Sequence, residues 1–413
     1  MLNKAILPLV LCLVFISESL ACTSAVISGS ATSDGRPLLW KHRDTGFHEN
    51  KLVYIEGERY DFVGVANLVD NTGAEIWMGS NSTGFSIMNT ASYNLNAGLT
   101  CDAADDQEGL FMHRALEICA TLEDFETLLD SSSGKWGLAA NFGVIDAQGG
   151  AAYYETGYYD FKKYDACDSE LAPDGYLLRT NFSFRGEKDG GYGFIRLQTT
   201  NDLFSESLAG GKLSVELLLE KATRNLNHSL LKTNIHDLEL PADVNDTTFI
   251  PFGDYVMRYN SASTMVIQGV LPGEDPQLTT MWTILGWQLA TLVTPVWVVD
   301  AEYLPGILIS RNDQPAPLNQ AALQLKGRCY PNIRGNGSDY LNLAPLMNKE
   351  GNGFAQVLLP AELEIIEETN KVLHKWRKSG IKKRQLKKFN RWLEKTISDI
   401  YEHELDLKLK GGE

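Results

Sequence analysis

The sequence predicts an α+β protein in which two antiparallel sheets lie between layers of helix, and three observations point there. Short apolar strands separated by Asp, Asn and Gly turns fill residues 52–89. Blocks of helical period interrupt the strands at residues 109–129 and 215–231. Strand patterns then return at 258–270, 279–287 and 292–299, so neither element type is confined to one half of the chain.

Taken in order, the chain opens with Lys4 and the apolar run ILPLVLCLVFI, and Ser19 and Ala21 sit three and one places before Cys22. This is the pattern of a secretory signal peptide over residues 1–21 with an A-x-A-like cleavage site. A cut there leaves Cys22 first, with a thiol and a free α-amine on one residue. An α-amine with a pKa of about 7.7 to 8.0 is a base poised near working pH, so no distant histidine is needed to activate the thiol. Residues 22–30 and 36–41 read as two strands turning at Ser33-Asp34-Gly35. Counting outward from Ser33 places Cys22 opposite Asp44, a carboxylate beside the new amine. Two other fates compete for Cys22. Lipidation is disfavoured because a lipobox places leucine three residues before its cysteine, and Leu20 comes one place too late. The other is an ordinary disulfide in an exported protein.

The apolar stretches LVYI, FVGVANLV, IWMG and FSIMN are the strands of residues 52–89. From Gly109 the period changes: Leu110, Met112, Leu116, Cys119, Leu122, Phe125 and Leu129 recur at helical spacing, with His113 read as a core or wet histidine rather than a ligand. Residues 141–155 form a hairpin turning at Gln148-Gly149-Gly150, residues 175–184 a further strand, and Gly190 to Gly193 a loop without the strand that a phosphate cradle needs. Trp282, Trp287 and Trp297 crowd the late strands; they are either core packing or a wall for an apolar acyl group. The chain thus divides into a signal peptide (1–21), a main domain (22–360) and a charged helical segment (361–413). That last segment reads as two helices broken at Ser379-Gly380, packed on the main domain or on a second subunit as a homo-oligomer. Its basic middle, residues 375–391, is a solvated face or a contact for a membrane surface.

At 413 residues with 44% hydrophobic content there is material for a large core. No apolar run after residue 21 is long enough to span a membrane. A net charge of −16 argues against nucleic acid as the partner. After signal removal five cysteines remain: Cys22, Cys101, Cys119, Cys167 and Cys329. An odd number leaves at least one unpaired. Pairing Cys101 with Cys119 and Cys167 with Cys329 is the preferred one of three connectivities, with Cys22 the free thiol. The cysteines and seven histidines show no metal-binding spacing, so neither metal nor cofactor is expected.

These residues carry a resemblance. Cys22-Thr23 at a mature terminus, the Asp34-Gly35 turn and Asp44 about two dozen residues on resemble the N-terminal nucleophile (Ntn) hydrolases of the choloylglycine hydrolase and penicillin V acylase superfamily. Acyl-coenzyme A:6-aminopenicillanic acid acyltransferases (peptidase C45-like) and acid-ceramidase-like amidases are similar relatives. Gly84-Phe85-Ser86-Ile87-Met88-Asn89 is similar to the family segment ending in an active-site asparagine, and Leu178-Arg179-Thr180-Asn181 to the one supplying an oxyanion asparagine. The resemblance covers roughly residues 22–300. It implies a four-layer αββα sandwich, Cys22 as nucleophile, Asp44 holding its α-amine, and Asn181 and Asn89 stabilising the oxyanion. It also places a guanidinium three residues before the aspartate, where this chain has Lys41. Arg43 stands nearby, but strand alternation puts both on the face away from Asp44. Arg258, at the family's late arginine position, is the candidate replacement.

The expected reaction is hydrolysis of a linear, non-peptide C–N bond in a small N-acyl amide through a thioester on Cys22, by an exported, periplasmic or secreted enzyme. An acyltransferase of the same fold differs only in whether an amine or water reaches the thioester. An exported binding protein is the third reading, though it has no need of a free terminal thiol. Five N-x-S/T sequons, at Asn81, Asn181, Asn227, Asn245 and Asn336, bear on the host. A glycan on Asn181 would destroy its oxyanion role, so either that site is buried before modification or the host exports to a bacterial periplasm, the favoured reading.

Overall fold

A computed structural model describes residues 21–104 and 106–409. The signal segment, Ala21 apart, lies outside the described residues. Along the chain come strands β1 (Thr23–Ile27), β2 (Leu38–Asp44), β3 (Asn50–Ile55), β4 (Phe62–Asn67), β5 (Met78–Asn81) and β6 (Ser86–Ala91). Helices α1 (Glu108–Ile118) and α2 (Leu122–Ser131) follow, then β7 (Ala140–Ile145), β8 (Ala151–Thr156), β9 (Phe161–Asp165), β10 (Tyr176–Arg179) and α3 (Phe194–Gly210). The second half holds β11 (Ser261–Gln268), β12 (Thr280–Leu285), β13 (Thr294–Val296), α4 (Pro317–Cys329), α5 (Phe354–Ser379) and α6 (Lys383–Leu405).

Local turns build one sheet and long-range pairing builds the other. β3 to β9 form a seven-stranded antiparallel meander in sequence order. The six-stranded sheet runs β10-β1-β2-β11-β12-β13, also antiparallel, so β2 pairs with a strand more than 200 residues away. β1 and β2 stack on β6, β7 and β8, which puts one core between the sheets. α1 and α2 close the outer face of the meander, where Phe111 and Phe125 meet Phe142 and Tyr154 at ring separations of 5.1 to 6.0 Å. Thr121 starts α2 with a capping box to Asp124, which satisfies two of its otherwise unpaired N–H groups. α3, α4 and α5 cover the other sheet, giving helix–sheet–sheet–helix layers.

The helical break falls where expected: α5 ends at Ser379 and Gly380 takes φ +70°, a conformation that favours glycine. Both C-terminal helices pack on the main body. Trp376 and Phe389 meet Trp297 edge-on at 5.0 and 5.9 Å, and Tyr401 donates to the Ala290 carbonyl at 2.8 Å. α5 begins at Phe354, before the expected boundary, and carries Pro360 inside it.

Three expectations need correction. The helical block at 215–231 shrinks to residues 215–222, because Leu226 to Ile235 turn into a two-residue hairpin. The preferred disulfides do not form: all five described cysteines are free. Cys119 and Cys329 are buried in two separate cores, whereas Cys167 is exposed and Cys101 half-buried. The third correction concerns register and shapes the site.

Candidate active site

β1 and β2 pair with Thr23 across from His42 and Ile27 across from Leu38. Continuing that register sets Cys22 against Arg43, not Asp44. The expected tight turn is instead a connection from Ser28 to Pro37 that contains a 3-10 turn at Gly29–Ala31, and it shifts the pairing by one residue. In a strand a one-residue shift exchanges faces. The thiol of Cys22 therefore lies on the cleft face with Lys41 and Arg43, while Asp44 and His42 point to the other face. The paired backbones of β1 and β2 form the plane between the two sides.

Behind that plane Asp44 is fully buried in a polar network. Arg258 Nε donates to Asp44 Oδ2 at 3.1 Å and Arg258 Nη2 reaches the same oxygen. Ser261 Oγ donates to Asp44 Oδ1 at 2.6 Å and accepts the Arg258 backbone N–H at 3.1 Å. His42 Nε2 lies 2.9 Å from Ser261 Oγ. Burial opposes ionisation of Asp44, but the Arg258 guanidinium and the His42 hydrogen bond outweigh it and hold the carboxyl well below the ordinary carboxylate range. A β-bulge makes this possible: β11 slips between Ser261 and Ser263, so Ser261 faces Asp44 while Ser263 faces Asn50 on the cleft side. Arg258 Nη2 also donates to the Ala21 carbonyl at 2.5 Å, one bond from the Cys22 nitrogen.

On the cleft face Lys41 Nζ donates to Asn89 Oδ1 at 2.7 Å and to the Trp77 carbonyl at 2.8 Å. Arg43 donates to Asn50 Oδ1 at 2.6 Å and Asn67 Oδ1 at 2.9 Å, and stacks its guanidinium 4.8 Å from the Trp77 ring. Burial pulls Lys41 down to about 7, the neighbouring Cys22 works against that fall, and Arg43 adds to it. Cys22, Lys41, Arg43, Trp77, Asn89 and Tyr93 line a cleft of about 540 Å³, within the range of small-ligand pockets.

Asn181 is fully buried, its Nδ2 donating to the Ala91 carbonyl at 3.0 Å. Its Oδ1 accepts from Arg196 Nη2 at 3.0 Å, which fixes the amide's orientation and leaves one of its two N–H groups for another acceptor. Arg196 also donates through Nη1 to the Cys22 carbonyl at 2.5 Å and Thr23 Oγ1 at 2.7 Å. The sequence reading missed Arg196. Its local signal is Gly193, three residues earlier at φ +94°, where a Cβ would overlap the guanidinium. A glycan on Asn181 does not fit this fold; Asn81 is equally buried, whereas Asn227, Asn245 and Asn336 are exposed.

Trp282 and Trp287 are not the wall of this cleft. Both have no exposed surface and belong to the core, where Trp287 Nε1 donates to the Arg258 carbonyl at 3.0 Å. Each sits on or beside β12, three strands along the sheet from β1. The aromatic and apolar lining comes instead from Trp77, Tyr93, Tyr158, Phe47 and Val69. No helix among the described residues is long and apolar enough to cross a membrane.

Fold and site define a two-sheet, four-layer α+β protein with one cysteine at the sheet edge of a polar cleft, the layering that the resemblance to the Ntn hydrolases calls for. No family model matches the chain and no curated protein matches it. Similar solved structures include a Caenorhabditis elegans N-acylethanolamine-hydrolyzing acid amidase ortholog, 17% identical over 49% of this chain and 88% of that one, with a TM-score of 0.35. They also include a mutant conjugated bile acid hydrolase from Clostridium perfringens, at 9% identity over 67% of this chain and 92% of that chain, TM-score 0.37. A penicillin V acylase from Agrobacterium tumefaciens is 13% identical over 67% and 85%, TM-score 0.31.

Proposed function

We propose that this chain is an exported cysteine amidase of the N-terminal nucleophile type, cleaving a linear C–N amide bond in a small N-acyl compound. The observation that carries the reading is the placement of Cys22 between two polar systems: its sulfur faces the Lys41–Asn89 cleft, and the carbonyl one bond before its nitrogen is tied by Arg258 to the buried Asp44.

In the reaction Cys22 Sγ attacks the substrate carbonyl carbon, and its proton passes to the Cys22 α-amine. The carbonyl oxygen becomes an oxyanion, for which Asn181 Nδ2 and Asn89 are the proposed donors. The C–N bond breaks, the departing amine takes the proton, and a thioester remains on Cys22. Water then hydrolyses it, transferring the acyl group to hydroxide and the sulfur back to thiol. Asp44, held ionised, keeps the protonated α-amine in position.

N-terminal sequencing and intact mass of exported protein should show Cys22 first, free of lipid, and rapid mixing with an N-acyl amide should produce an acyl adduct on Cys22. A retained Ala21, an acylated amine or the absence of any adduct across bile-acid, aryl-acetyl and fatty-acyl amides would refute the reading. An acceptor amine that diverts the thioester into a new amide would move it to acyltransferase. Asn181→Ala is expected to cost roughly 100- to 1000-fold in kcat, the typical loss for one oxyanion donor, with the fold retained by circular dichroism. Turnover within a few-fold of the parent would make Asn181 a structural strand end.

A further inference from the structure

The cleft carries charges of both signs that do not pair with each other. Glu108, at the start of α1, is buried; its Oε1 accepts the Ala139 N–H at 2.8 Å, and its Oε2 meets no donor among the described residues. The Glu108 carboxyl lies against that of Asp106, which is exposed in the same cleft. Glu75 is drawn alongside because Ile76 N–H donates to the Gly109 carbonyl at 3.1 Å, and it too lines the cleft. The two cations nearby are committed elsewhere: Lys41 to Trp77 and Asn89, Arg43 to Asn50 and Asn67. Among the described residues no lysine, arginine or histidine lies at ion-pair distance from Glu75, Asp106 or Glu108.

Facing carboxyls without a donor between them are satisfied by a proton or by a cation, since burying unpaired like charge is costly. We infer that Glu108, Asp106 and Glu75 form a cation subsite, and that the amide taken by this cleft carries a second, protonated nitrogen on its amine part: an N-acyl diamine or N-acyl polyamine. The inference rests on the amidase reading above for the word amide, and on the carboxyls alone for the cation. Phe47, Val69 and Trp77 suit the acyl part, which leaves the acidic flank to the amine part. The same flank disfavours an N-acyl amino acid, whose carboxylate would meet carboxyl groups that have no ion-pair partner of their own.

Three substrates with one acyl group test this: the amides of pentylamine, of 1,5-diaminopentane and of 5-aminopentanoate. Their Kd values are measured by calorimetry on Cys22→Ala protein, which needs no turnover, and their kcat and KM on the active enzyme. The diamine amide is expected to bind about tenfold or more tighter than the pentylamide, with the difference in KM, and the aminopentanoate amide weakest. Raising salt from about 0.05 to 0.5 M should shrink the preference, and Glu108→Gln should bring it below about threefold. Equal binding of cationic and neutral amides, or preference for the anion, overturns the subsite. If the order holds but nothing is cleaved and Cys22 is never acylated, the amidase reading falls and the subsite stands. If all three are cleaved with equal efficiency, the reverse is true. Should Glu108→Gln fail to fold, the salt dependence of the parent protein's preference decides.

Discussion

Cys22→Ala is expected to lower amide turnover roughly 10⁴- to 10⁶-fold, the scale seen when a nucleophile is removed from a unit that acts together. The loss should fall in kcat, because Sγ contacts the substrate only as the bond forms. Folding should hardly change: the thiol's one hydrogen bond is a weak one to the Asp44 carbonyl at 3.9 Å, and alanine fills most of the same space. Steady-state rates with mass spectrometry check both halves. A variant that retains a tenth of the parental rate would place the nucleophile elsewhere, and none of the other described cysteines lines the cleft.

Asp44→Asn should damage both stability and rate. It leaves the Arg258 guanidinium half-buried without its counter-charge, and breaking a buried pair by removing one partner costs about 3 to 5 kcal/mol. The pH dependence follows from the depressed acidity. Unfolded, Asp44 titrates near the ordinary carboxylate value; folded, it stays ionised well below that. The unfolded chain therefore binds the proton first, so the contribution is fully present above about pH 4 and drains away as the pH falls further. Denaturant unfolding of parent and variant at pH 7 and at progressively lower pH should show two stabilities that converge on acidification. Parallel curves would mean that the ion pair contributes nothing to folding.

What the sequence made legible is what short range determines. The strands β3 to β8, the helical block after Gly109 and the break at Ser379-Gly380 follow from period and turn chemistry within a dozen residues, whereas β9 was not read. Cys22, Asp44, Asn89 and Asn181 were singled out from motifs, and Arg258 from its resemblance to the family's late arginine position. What stayed hidden depends on turn geometry or on distance. A 3-10 turn in the 28–37 connection shifts one register by a residue and with it the face of every side chain in β1 relative to β2. Arg196 comes from a helix, Phe194–Gly210, that the sequence reading did not find, and it reaches back 174 residues to the Cys22 carbonyl. Trp282 and Trp287 looked available for substrate because a tryptophan on a strand gives no sign of which face is covered; here both faces of that sheet are. The acidic flank was missed because Glu75 comes from the connection before β5, while Asp106 and Glu108 come from the entry into α1.

Arg196 has a consequence for how this site could change over time. One planar guanidinium holds the carbonyl of Cys22, the proposed nucleophile, and the amide of Asn181, the proposed oxyanion donor, so the two positions are tied through one side chain. A displacement of β1 is handed to Asn181 with little loss, and the reverse holds too. Substitutions near either residue should then combine non-additively, and a double-mutant cycle across Thr23 and Asn181 should show coupling that disappears once Arg196 is replaced. Evolution cannot retune Cys22 and Asn181 one at a time in such an arrangement. Substrate preference is free to drift on the cleft flanks, where no comparable tie exists, while the reacting centre is inherited as a block.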